Sequence, residues 1–140
     1  MEDEINTHQH GGFTCLSLSL MLNYYLVSQS YIITPQHLFL PTLVPLLRGD
    51  KALYPSASKV MVFLPTARQA GFVAEVLGGV SGLEPIYEIH SRLSQNRRTK
   101  VAAEFAIAKK GVLISSDVTA RGMDFPGYSS SFILFFSIYL

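Results

Sequence analysis

Charge is what this sequence has little of, and it is missing in blocks. Asp, Glu, Lys and Arg supply 15% of the 140 residues, against about a quarter in an ordinary soluble domain. No charged residue occurs from Ile5 to Leu47, and none from Phe125 to Leu140. The net charge of +1 gives no global field that would attract a polyanion. Cysteine occurs once, as Cys15, which excludes an internal disulfide and fits a reducing compartment. His8, His10 and Cys15 offer neither a fourth ligand nor a zinc-site spacing, so no metal is expected there. The start, Met1-Glu2-Asp3-Glu4, is acidic where a secretory or transit peptide is basic. The uncharged run from Phe13 to Val27 is shorter than the 18 or so residues that span a bilayer, and Asn23 interrupts it, so a strand or a buried helix is the expected form.

What is present is a patterned middle. The length allows one ordinary domain. Residues 1–12 read as a polar, linker-like segment. Ser30 to Thr34 is β-branched and aromatic, hence extended, and Pro35 opens a helical stretch. Pro41 and Pro45 argue against a regular helix through its middle. Lys59 to Leu64 reads as a strand buried on both faces. Thr66 is an N-cap, and the spacing predicts a helix over 67–78 that buries Ala70, Val73, Val76 and Leu77 and closes at Gly78-Gly79. Pro85 to Ile89 is the next strand. Ser94 caps a second helix with Val101, Phe105 and Ala108 on one face, and Lys109 and Lys110 sit at its C-terminus. Gly111 starts a third apolar strand. Strand, helix, strand, helix, strand is the order of a parallel sheet with right-handed crossovers, which predicts an α/β fold.

Three loops then follow three parallel strands on one edge, where α/β sheets bind ligands. They are Pro65 to Gln69, His90 to Arg98, and Ser116 to Asp124. Between Arg92 and Asp124 there are seven basic and three acidic residues. Hydroxyls, amides, helix N-termini and arginines suit the oxygens of a phosphodiester backbone. Few groups are placed to read bases, so strand binding blind to sequence is expected. Each piece alone has a plainer reading: the arginines as a solvated helix face, Asp117 and Asp124 as turn formers, His90 as a strand-end histidine.

The order of the pieces carries a resemblance. Val62-Phe63-Leu64-Pro65-Thr66 resembles motif IV of the DEAD-box RNA helicases, and Gln95-Asn96-Arg97-Arg98 resembles motif IVa. Ser115 to Asp124, with its Ala-Arg-Gly-x-Asp ending, resembles motif V. The segments around Thr66 and Ile89 to Gln95 are similar to a fungal, mitochondrial-helicase-like branch of that family. The resemblance covers residues 28–127 and implies an incomplete second RecA-like domain, the helicase C-terminal domain, with a parallel sheet of the P-loop NTPase type. It implies RNA-backbone contacts by Thr66, Gln95, Arg98, Ser116 and Asp117, contacts to ATP by Gly122 and Asp124, and a domain-closing role for Arg121. In the family ATP and Mg2+ are cofactors; this chain alone is expected to bind neither and to hold no catalytic residue.

The departures shape the rest. The 140 residues contain no Gly-x-x-x-x-Gly-Lys-Ser/Thr and no Asp-Glu-Ala-Asp. Motif VI should follow motif V with an arginine finger, yet 128–140 is an apolar tail with no Arg. The expected organisation is a linker-like segment with an apolar insert over 1–27, a partial helicase domain over 28–127, and the tail. The insert, 11–26, and the tail read as translated non-coding sequence such as retained introns. Three functions stay open at this point: half of an ATP-dependent RNA helicase, inactive alone; a non-catalytic module that binds RNA or a partner; and a small membrane-associated protein. The compartment is expected to be intracellular, with mitochondrial, cytoplasmic and nuclear locations open.

Overall fold

A computed structural model gives the backbone of residues 5–10, 13–22, 25–83, 85–116 and 130–133, with side chains described for 32–83 and 85–116. Asp117, Arg121, Gly122 and Asp124 lie outside the described residues. The chain divides into two compact units, 1–42 and 43–140.

In the first unit, β1 (Ile5–His10), β2 (Phe13–Leu22) and β3 (Tyr25–Ile33) form an antiparallel sheet in the order β1-β2-β3. The segment read as an open linker thus carries a strand, registered His8 to Cys15. The strand expected at 30–34 begins earlier, at Tyr25. A short 3-10 turn, Gln36–Leu38, leads into α1, Phe39–Leu53. Here the expectation from proline fails. Pro41 sits in the first turn, where its missing N–H has no intrahelical acceptor to lose. Pro45 lies inside the helix, at a cost of about 3 kcal/mol. Burial of Leu43 and Leu47 one turn apart offsets that cost.

The second unit is the α/β sheet. β4 (Lys59–Leu64), β5 (Ile86–Ile89), β6 (Gly111–Ser116) and β7 (Ser130–Ile133) lie in the order β5-β6-β4-β7. All three pairings are parallel, as the apolar runs require. α2 (Ala67–Gly78) packs against β4, β5 and β6, while α3 (Gln95–Ile107) packs against β5. β6 is buried along its whole length because it lies between β5 and β4. The β7 strand falls within the stretch read as a tail.

Side-chain alternation sorts the core. Met61, Ile89 and Leu113 meet Phe105 of α3, with Phe63, Tyr87, Val101, Ala102 and Ala106 packed around them. Burying a side chain like Phe105 stabilises by about 1.5–3 kcal/mol. Tyr87 meets Phe105 edge-on, with ring centres 5.3 Å apart. On the other face α2 buries Ala70, Val73, Ala74 and Leu77. Ala74 takes the place expected of Val76, since steps of four and three centre the stripe there. Ala108 caps α3 and lies beyond its last turn.

Polar groups are buried in this unit as well. Lys59 is 2% exposed; its Nζ donates to the Ala106 carbonyl at 3.0 Å and lies 4.9 Å from the centre of the Phe105 ring. Burial pushes its ammonium below the ordinary 10.5. Asp50, near the end of α1, accepts from Ser58 Oγ at 2.8 Å in a buried pair. Gly111 is required by close approach: a Cβ there would stand 2.6 Å from Tyr87 Cε2.

Candidate nucleic-acid interface

Parallel pairing puts the ends of β4, β5 and β6 on one edge, and each predicted loop leaves from that edge. Thr66 follows β4 and caps α2: its Oγ1 accepts from the Gln69 N–H at 3.2 Å and donates to Gln69 Oε1 at 2.9 Å. This reciprocal cap satisfies a backbone donor that helix geometry leaves open. Ser94 does the same for α3, accepting from the Arg97 N–H at 3.4 Å, while the Arg98 N–H donates to the Ser94 carbonyl at 3.0 Å. Two helix N-termini therefore stand at this edge, each with the partial positive charge that favours anions.

The predicted residues divide by position. Thr66 and Gln95 are exposed, Arg98 is half-buried, and Ser116 ends β6 at 2% exposure. Topology brings all four to the same edge. Arg68, Arg92 and Arg97 are exposed beside them. Among these arginines Arg98 differs, because its Nε is shut off from water and has no hydrogen-bond partner among the described residues. A buried guanidinium N–H without an acceptor costs free energy; the positive charge of this half-buried side chain is what suits a phosphate.

One part of the site was not read from the sequence. Glu88 on β5 and His90, the first residue after the strand, stand two apart and so share a face. His90 is buried, with Nε2 against Glu88 Oε1 and Nδ1 accepting the Arg92 N–H at 3.2 Å. The signal was the alternation itself, a carboxylate and an imidazole on one side of a strand that ends in an arginine-rich loop. Gly71 of α2 lies over the pair, where a Cβ would come 3.3 Å from His90 Nε2. Among the described residues no helix is long and apolar enough to cross a membrane.

Chemically, the edge offers hydroxyls, helix ends and arginines, and no described nucleophile beside a base. Groups of these kinds suit an anionic chain.

Comparison with known proteins gives this edge a context. Residues 43–136 match the family model of the helicase conserved C-terminal domain. DEAD-box ATP-dependent RNA helicase 26 of Oryza sativa subsp. japonica is 46% identical over 103 residues, covering 71% of this chain and 18% of that protein. The mitochondrial ATP-dependent RNA helicase MSS116 of Candida glabrata is 47% identical over 68 residues, covering 49% and 10%. Among solved structures, Mss116p DEAD-box helicase domain 2 bound to an RNA duplex superposes with a TM-score of 0.59 at 30% identity, covering 66% of this chain and 36% of that one. Mss116p bound to single-stranded RNA and AMP-PNP gives 0.61 at 30% identity, covering 66% and 18%. The chain spans less than a fifth of the length of the relatives named here.

Proposed function

The chain belongs to the helicase conserved C-terminal domain family, and from that premise we propose that it acts as the second RecA-like half of a DEAD-box RNA helicase, gripping RNA by its backbone. The observation that carries this is the shared edge: three parallel strands deliver Thr66, the Gln95–Arg98 turn and Ser116 to one side of the sheet, and the half-buried Arg98 brings positive charge to it. Thr66, Gln95, Arg98, Ser116 and Asp117 are the proposed RNA contacts. Backbone contacts carry no base information, so the grip is blind to sequence.

Gly122 and Asp124 are proposed to meet ATP held by another RecA-like domain, and Arg121 to help close the two domains. Bound ATP with Mg2+ supplies the free energy of strand separation. Phosphoryl transfer needs a phosphate cradle, the metal and a charge-stabilising arginine finger. The 140 residues contain no P-loop motif, so the chain alone is expected to hydrolyse no ATP. Three relatives carry "mitochondrial" in their names, which supports the mitochondrion as the first compartment to examine.

The test is titration of single-stranded RNA at two salt concentrations, with an ATPase assay alongside. Affinity should fall as salt rises. Arg98→Ala should weaken binding about equally for all sequences and reduce the magnitude of the log-affinity against log-salt slope by about 0.7. Asp124→Ala should leave RNA affinity unchanged. RNA-stimulated hydrolysis by this chain alone, or an affinity that ranks with base sequence, would overturn the reading.

A further inference from the structure

The turn from β5 into α3 is fastened at a single imidazole. The His90 side chain is 6% exposed. Its Nδ1 accepts the Arg92 N–H at 3.2 Å, and Nε2 meets Glu88 Oε1. With Nδ1 taken up by a backbone N–H, Nε2 is the ring nitrogen placed to donate to Glu88. The His90 carbonyl also accepts the Leu93 N–H at 3.1 Å. One residue later Ser94 caps α3. Both hydrogen bonds that shape the turn thus end on His90. The turn fixes where the first turn of α3 begins, and that first turn carries Gln95 and Arg98.

We propose that His90 is a positioning residue for the RNA grip: its imidazole, oriented by Glu88, fixes the 90–94 turn and thereby the placement of Gln95 and Arg98. This rests on the RNA-binding reading above. It goes beyond that reading in naming a residue outside the proposed RNA contacts that sets the geometry of the grip.

The His90→Asn variant separates this role from a merely structural one. Its side-chain oxygen can accept from the backbone two residues on, as in an Asx turn, whereas the phenylalanine of His90→Phe offers no acceptor. The full chain and its His90→Asn and His90→Phe variants are titrated with a fluorescent single-stranded oligouridine at fixed ionic strength. His90→Asn should match wild type, and His90→Phe should bind about threefold to tenfold more weakly, the worth of one hydrogen bond. Wild-type affinity in His90→Phe, or a loss in His90→Asn as large as that in His90→Phe, overturns the proposal. Amide exchange at Arg92 is read in the same proteins without RNA. Protection in wild type and His90→Asn but not in His90→Phe is expected, and an unprotected Arg92 N–H in wild type overturns the role of His90. Protection as expected with no RNA binding by wild type would instead sink the RNA reading.

Discussion

At the scale of single residues, Lys59 ties the fold to pH. Burial holds its folded-state value below 10.5. The unfolded chain therefore keeps a proton that the folded chain gives up, between the lowered value and 10.5. Where the unfolded state binds more protons, stability rises with pH. So Lys59 should contribute a gain in stability as pH climbs toward 10.5 and no slope below its folded value. In Lys59→Met that rise should disappear from urea midpoints measured between neutral and alkaline pH; an unchanged slope would contradict the assignment. Residues such as this were hard to read from sequence. Lys59 stands at the head of an apolar run and gives no sign that its Nζ will find the Ala106 carbonyl. His90 gave half a sign, as a histidine ending a strand, but its two partners depend on the turn that follows.

At the scale of elements, what was legible followed from periodicity and caps. α2 runs from Ala67 to Gly78 with Thr66 as its cap, as spacing and a single threonine require. The proline-bearing α1 was misread because local propensity opposes it and only tertiary burial of Leu43 and Leu47 sustains it. Pairing partners were legible only as far as parallel order. That β6 lies between β5 and β4 depends on crossovers that no local signal encodes. The seam between β5 and β6 is closed by Gly111 beneath the Tyr87 ring. Gly111→Ala should force Tyr87 off Phe105 and cost about 1–3 kcal/mol, as overpacking does. Chemical denaturation would measure it, and a loss below about 0.5 kcal/mol would show that the ring moves aside freely.

At the scale of the whole molecule, the edges of the sheet matter most. β7 pairs with β4, so a polypeptide ending at 127 leaves β4 with bare N–H and C=O groups along one side. A polypeptide of residues 36–136 should stay in solution better than one of 28–127, and better than the full chain with its longer uncharged stretches. Soluble fractions after centrifugation would decide the ranking. The candidate site was legible at this scale because motif order survives even where single residues are ambiguous. The roles of Asp117, Arg121, Gly122 and Asp124 rest on that order.

The sheet also imposes a sequence of events in time. Lys59 is registered against Gly111, and Val60 against Ser130, so β4 is made long before either neighbour. During synthesis its apolar run must wait with both flanks unpaired while α2, β5 and α3 emerge. Non-local pairing of this kind slows folding and prolongs the exposure of sticky strand edges. A ribosome that pauses before Gly111 would therefore hold a nascent chain in its most aggregation-prone form, and the arrival of six residues, Gly111 to Ser116, converts it into a sheet.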